Sequence, residues 1–423
     1  MPTTTNPPAD DDAPEPLGRN RDFRVLLVSQ GVSSLGDAVS FTALPLLVLA
    51  LTGSGLAMGV VGALQTLPDL IFGMVAGALA DRSDRKRMMF GADLGRAALT
   101  ALIPISVFLH GPTMGIVLLV AAPMSMLRSL FLAGYTASVP ALVGRPQLAR
   151  ANAIFETVYS AGYIVGPSIA GLLAAAIGPG PTLGIDAVSF AVSSLGLFLV
   201  RRPLRAPVDR PQTRIVDDIR EGIRFILGHP ILRSAILLWG ISSIVTAPIV
   251  AALAFRITRD LAESPTILGI VLTAYGVGTV AGSLAATRIG RRTSVAAVLL
   301  LGELGTGIAL IGVAFAGIVP ALIGFALLAG VAQSLVLVTY ITVRTAYSPD
   351  HLLGRVGSTA RVISLGLQPL GMLAGGVLID ATSGTATIAA MGTALCILAF
   401  AFVPVRALRH ASLTGKRTVQ SAP

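Results

Sequence analysis

About twelve times along its length the sequence runs through twenty or more residues with almost no charge, and this recurrence decides what the chain can fold into. A helix rises about 1.5 Å per residue, so each run is long enough to cross the roughly 30 Å hydrocarbon core of a bilayer. The approximate extents are 23–51, 57–80, 87–110, 113–140, 150–176, 181–200, 231–257, 266–289, 293–315, 318–346, 355–379 and 385–405. Hydrophobic residues make up 54% of the chain and charged ones 12%, with a mean hydropathy of +0.81. That leaves too little polar surface for a water-soluble domain. The short alternating strands of a transmembrane barrel are not visible. The expected fold class is an all-α integral membrane protein.

The few charges are placed unevenly. The formal net charge is +10. The bases fall on alternate loops: Arg19 to Arg24, Arg82 to Arg87, Arg145 and Arg150, Arg201 to Arg224, Arg288 to Arg292, Arg355, and Arg406 to Arg417. The intervening loops hold almost none beyond Arg256 and Arg259. This bias places both termini and the even-numbered loops in the cytoplasm of a multi-pass protein of the bacterial inner-membrane type. It also accounts for the basic balance without nucleic acid. The N-terminal stretch 1–18, MPTTTNPPADDDAPEPLG, is Pro-rich and acidic with no apolar core, so it is read as a disordered cytoplasmic tail, as is 407–423. Cys396 is the one cysteine and lies within a span, which excludes an intrachain disulfide and a multi-thiolate metal site.

The halves echo each other. VAGALADRSDRKR from Val75 reappears as VAGSLAATRIGRR from Val280, QGVSSLGDA from Gln30 as WGISSIVTA from Trp239, and SAGYIVGPSIAG from Ser160 loosely as SLGLQPLGMLAG from Ser364. The shifts are 205, 209 and 204 positions. One duplication explains all three. It predicts two parallel six-helix bundles, 19–200 and 231–406, joined by a linker over 201–230. In the linker, Ile215, Ile219, Ile223 and Ile226 at helical spacing predict an amphipathic helix on the cytoplasmic membrane surface. Two parallel repeats joined in this way form an architecture of secondary transporters, with the substrate site between the halves near the bilayer midplane.

The spelling of the loops then carries a resemblance. Gly77-Ala-Leu-Ala-Asp81-Arg82-Ser-Asp84-Arg85-Lys86-Arg87 resembles the loop 2–3 motif of the major facilitator superfamily, with Asp84 where Gly is usual. Gly162-Tyr-Ile-Val-Gly166-Pro167-Ser-Ile-Ala-Gly171 resembles the fifth-helix motif of its drug–proton antiporters. With FRVLLVSQGVSSLGDAVSFTALPLLV, IREGIRF and SPDHLLGRVGS, the chain from about 18 to 407 is similar to the branch of macrolide-efflux and enterobactin-export proteins. The resemblance implies export of an amphipathic small molecule by alternating access, with protons as counter-ion and lipid as surroundings, by a monomer with no cofactor. It also implies a cytoplasmic latch, in which Asp81, flanked by Gly77, Arg82, Arg85 and Arg87, docks on the start of span eleven near Gly354 to Ser358. The alternative is a local bridge from Asp81 to Arg85. The fourth-helix motif of the antiporters is absent, since Arg128 is followed by Phe131 and Leu132 rather than Gln-Gly.

Acids inside spans are the remaining candidates. Asp37 falls near the middle of span one, where an ionised acid costs on the order of 2.5–3.5 kcal/mol. Gln30, Ser33, Ser34, Asp37 and Ser40 share one helical face, which predicts a cavity rather than lipid around them. A carboxyl so placed suits exchange of a proton for a cationic substrate, the alternative being a structural hydrogen bond. Asp69 with Gln65 and Arg128 with Ser125 form similar stripes, and Asp37, Asp69 and Arg128 are expected in one charge-compensated cluster or in fixed pairs. Glu156 and Arg361 occupy matching places in the repeat and are expected to pair when the cytoplasmic side closes. Asp93 and Arg96 read as a structural pair. Glu303 receives no assignment. Gly162, Gly166, Pro167 and Gly171 predict close helix approach and a bend.

Other classes find less support. Uptake or lipid translocation by the same fold stays open. An intramembrane enzyme needs a nucleophile or metal constellation, yet there is no HExxH or Gly-x-Ser-x-Gly, and the four histidines are scattered. A phosphate loop for a primary pump is also missing.

Overall fold

The computed structural model describes residues 16–109, 111, 113–204, 215–290 and 292–409, and within them all side chains but those of residues 69, 70, 74, 145, 215–219, 287 and 350. The tail residues 1–15 and 410–423 therefore lie outside it. Among the described residues, twelve helices or helix pairs are long and apolar enough to span a membrane, and each overlays one of the runs read from the sequence.

Six spans precede the linker: α1 (Arg21–Thr52), α2 (Gly55–Arg82), α3 (Arg85–Leu109), α4 (Met114–Val143), α5 (Leu148–Ile177), and the pair α6 (Pro179–Thr182) and α7 (Gly184–Leu199). The linker helix is α8 (Ile215–Gly228). Then follow α9 (Pro230–Thr246) with α10 (Ile249–Phe255), α11 (Pro265–Gly290), α12 (Val295–Phe315), α13 (Val319–Ala346), α14 (Leu353–Gly366) with α15 (Gln368–Ala381), and α16 (Gly384–Phe402) with the short α17 (Arg406–Arg409). An even number of crossings returns both ends to one face, here called the terminal face.

Local chemistry sets the ends. Asn20, Ser54, Ser294 and Ser383 cap α1, α2, α12 and α16 by accepting an N–H from the first turn. Gly53, at φ 66°, lets α1 stop and α2 turn back within two residues. Arg256, one of the two bases in the poorly charged loops, is buried. Its guanidinium donates to the Val313 and Ala316 carbonyls at 3.1 and 2.8 Å, closing the end of α12.

The two most extensive seams between the halves are α5 against α11 and α2 against α15. Both are tight at the face opposite the termini. A Cβ on Gly171 of α5 would lie 2.6 Å from the Pro265 carbonyl oxygen of α11, and one on Gly55 of α2 would lie 2.8 Å from the Gly376 carbonyl oxygen of α15. Ser168 and Thr273 share a hydrogen bond of 2.7 Å across the first seam. Toward the terminal face the same elements part. Gly73 and Gly77 of α2, and Gly354 and Gly357 of α14, have no atom of another described element within 4 Å of where a Cβ would sit. The molecule is therefore closed on the far face and open on the terminal face.

The linker helix sits on the terminal face against α14. Gly222 packs on Thr359, Ile226 is buried, and Arg355 donates to Glu221. Ile223 is exposed, and Ile215 and Ile219 lie outside the described side chains.

Candidate functional site

The charged interior of the N-terminal half is assembled from three helices. Arg96 of α3 reaches across to α1 and donates to Asp37 at 2.7 Å, while its other terminal nitrogen donates to Asp93 at 3.2 Å. The guanidinium lies 3.8 Å from the centroid of the Phe190 ring of α7 and 5.9 Å from that of Phe131, a cation–π arrangement that replaces part of its hydration. A third acid, Asp186 of α7, accepts hydroxyl hydrogen bonds from Ser40 at 2.5 Å and Ser189 at 3.1 Å. Gly36 makes this approach possible, because a Cβ there would stand 2.6 Å from the Asp186 carboxylate.

Burial separates the roles. Asp93, Arg96 and Asp186 are 0%, 3% and 1% exposed, whereas the Asp37 side chain keeps 30% of its surface accessible. One guanidinium thus bridges two carboxyls, with a third within Coulombic range of Asp37. In a dry interior such a cluster needs a further positive charge when all three acids are ionised. Asp37 is the accessible member of the cluster.

Beside this cluster, one turn further along α1, an apolar pocket of about 120 Å³ lies between the halves. Phe41 and Val48 of α1, Met58 and Gln65 of α2, Pro248 at the α9–α10 break and Met372 of α15 line it. Phe41 also meets the Tyr163 ring at 6.2 Å, and Tyr163 meets Tyr159 at 4.7 Å, which extends an aromatic wall along α5. Phe41 and two methionines around this apolar space, with the Asp37 carboxylate one turn away on α1, suit an apolar group that carries a positive charge nearby.

The structure places the residues expected from sequence as follows. Gln65 lines the pocket between the halves, and Asp37 lies one turn from it on α1. Gln30 donates to Ser193 of α7 at 3.2 Å, and Ser34 donates to the Gly31 carbonyl of its own helix, so both serve packing within the first bundle. The partner of Asp37 is Arg96, which local spacing on α3 pairs with Asp93 alone. Arg96 is long enough to serve both acids because α1 and α3 both pack on α7. Asp69 lies outside the described side chains, and Arg128 is exposed on α4.

At the terminal face Asp81 is exposed and pairs with Arg85 at 3.9 Å. Arg85 is buried and donates to the Ala80 and Ala137 carbonyls at 3.1 and 2.8 Å, tying the end of α2 to α4. Arg82 and Arg87 are exposed on either side. Glu156 and Arg361 are both exposed and form no ion pair with each other in this open state. Gly162 and Gly166 let α5 close on Ser34 and Ala38 of α1, next to the buried Pro167, and Gly171 carries the contact to α11.

The second half has its own buried acid. Glu303 of α12 is 0% exposed and accepts from Ser242 of α9 at 3.0 Å, with its other oxygen unpartnered. No cluster of His, Cys, Asp or Glu among the described residues could hold a metal.

Comparison with known proteins agrees with this picture. A family model described as "Transmembrane secretion effector" matches residues 13–420. The multidrug efflux pump Tap of Mycolicibacterium fortuitum is 30% identical over 400 residues, covering 93% of this chain and 97% of that protein. Macrolide efflux protein A of Streptococcus pyogenes is 26% identical over 263 residues, covering 62% of this chain and 65% of that one. A crystal structure of the nucleoside transporter NupG, in a mutant form, superposes with a TM-score of 0.79 at 12% identity, over 91% of this chain and 100% of that one, which speaks for the fold alone. The chain belongs to the transmembrane secretion effector family of the major facilitator superfamily, and is a multi-pass membrane transporter rather than an enzyme.

Proposed function

We propose that this transporter exports amphipathic small molecules from the cytoplasm in exchange for protons, with Asp37 as the carboxyl that exchanges a proton for the substrate. The observation that carries this reading is the accessible Asp37, held by Arg96 at 2.7 Å and set beside an apolar pocket between the halves. A cationic substrate and a proton compete for the same charge, so binding of one releases the other. The basic loops lie on the open terminal face, which the positive-inside bias assigns to the cytoplasm, so the cavity of this conformer loads from inside. The efflux names of the two relatives described above agree with that direction.

Asp81 and the Glu156–Arg361 pair complete the reading as contacts of the other conformer. Their separation here is what a cytoplasm-open state requires. The test is transport in inverted membrane vesicles, following dissipation of an imposed pH gradient across a panel of cationic dyes, macrolides and siderophores. The wild type collapses the gradient with at least one ligand and Asp37→Asn does not. A wild type inert to the whole panel overturns proton-coupled export of these compounds.

A further inference from the structure

The tightest polar contact between the halves lies at the face opposite the termini. Asp380, one residue from the end of α15, accepts from the Ser54 hydroxyl at 2.6 Å, the Gly55 amide at 2.5 Å and the Leu56 amide at 3.0 Å. Ser54 in turn accepts from the Ala57 amide at 3.2 Å. The first three free amides of α2 are thus satisfied, two of them by a carboxylate that belongs to the other half of the molecule.

Each partner corrects a defect of the other. An acid at the C-terminal end of a helix meets the negative end of that helix's dipole, and the N-terminus of α2 offers a positive one with unpaired N–H groups. Gly55, Gly59 and Gly376 beneath it bring the two backbones close enough for the carboxylate to reach. Opening this face requires breaking all three bonds and leaves the α2 amides and the Asp380 carboxylate without these partners.

We propose that Asp380 is a positioning residue of the transport cycle, an outer latch that holds the far face closed while the terminal face is open. It works at the opposite end of the same helix pair as Asp81. Asp81, near the end of α2, pairs with Arg85 here and is the acid expected to dock on the start of α14 when the terminal face closes, whereas Asp380 ends α15 and caps the start of α2. One helix pair thus carries an acid latch at each end, and one latch is engaged here while the other is released. The inference rests on alternating access, and it does not depend on proton coupling through Asp37.

The test measures conformation without substrate or a pH gradient. Spin labels are placed on a Cys396→Ala background at Thr113 and Gly317, across the far face, and in a second protein at Ala149 and Arg292, across the terminal face. Distance distributions are then read by pulsed electron resonance in lipid nanodiscs. Loss of three hydrogen bonds predicts that Asp380→Ala raises the ratio of far-face-open to terminal-face-open molecules by about tenfold or more. Asp380→Asn, which keeps shape and one acceptor, moves it less in the same direction. Adding Asp81→Asn to Asp380→Ala returns the ratio toward the wild-type value, which general damage to the fold cannot do. Unchanged distributions in a folded Asp380→Ala protein overturn the proposal and leave Asp380 as a helix cap. A shift that Asp81→Asn fails to reverse overturns the two-ended latch.

Discussion

Arg96 is the residue on which the first half depends most. It is buried between Asp37 and Asp93 over the Phe190 ring, so its removal strands the buried Asp93 carboxylate and leaves Asp37 without its partner. Breaking such a cluster from one side typically costs about 3–5 kcal/mol. Arg96→Ala is expected to lower the melting temperature in detergent steeply. Arg96→Lys, a point charge without the fork that serves two acids, should fold but lose transport. If Arg96→Ala melts like the wild type, the cluster is not a structural unit. At this scale the sequence was only partly legible. Periodicity on α1 identified the face of Asp37, because helical spacing is local. It could not supply Arg96 or Asp186, which are distant in the chain, since those contacts depend on how α3 and α7 cross α1. Asp186 carried one usable signal, an acid within an apolar run.

Among the elements, α5 serves two purposes that its glycine motif does not distinguish. Gly162 and Gly166 bind it to α1 inside one half, while Gly171 meets Pro265 and Gly269 of the other. Gly166→Val, whose first side-chain carbon would stand 2.5 Å from the Ala38 Cβ, overpacks a permanent contact and should cost about 1–3 kcal/mol of stability. Gly171→Val wedges a contact that must part during the cycle. It should leave stability nearer the wild type and displace the population from the terminal-face-open state, read by label accessibility at the two faces. Equal loss of stability in both variants would contradict this division. The span boundaries were legible to within a few residues because length and hydropathy alone set them. The assignment of each glycine to a fixed or a moving contact was not, because both seams ask for small residues.

For the whole molecule, the duplication and the charge bias reveal the architecture but not the state. A chain that alternates between two conformers carries contacts for both, and only one set is made at a time. In this conformer Asp81 pairs within its own half and Glu156 and Arg361 form no ion pair with each other, whereas Asp380 reaches across to the other half. If Glu156 and Arg361 meet when the terminal face closes, Glu156→Arg and Arg361→Glu each slow transport, and the two together restore it toward the wild-type rate. A double reversal no better than either single one removes the pair from the cycle.

The most direct measurement compares exchange with accumulation in proteoliposomes containing wild type or Asp37→Asn, using a ligand that the vesicle panel has identified. An acid that couples protons is needed for uphill movement and is dispensable for one-for-one exchange. Asp37→Asn is therefore predicted to retain some substrate exchange, slowed because the cation has lost its charge partner, and to lose accumulation driven by a pH gradient altogether. Accumulation by Asp37→Asn at the wild-type level would contradict proton coupling through Asp37.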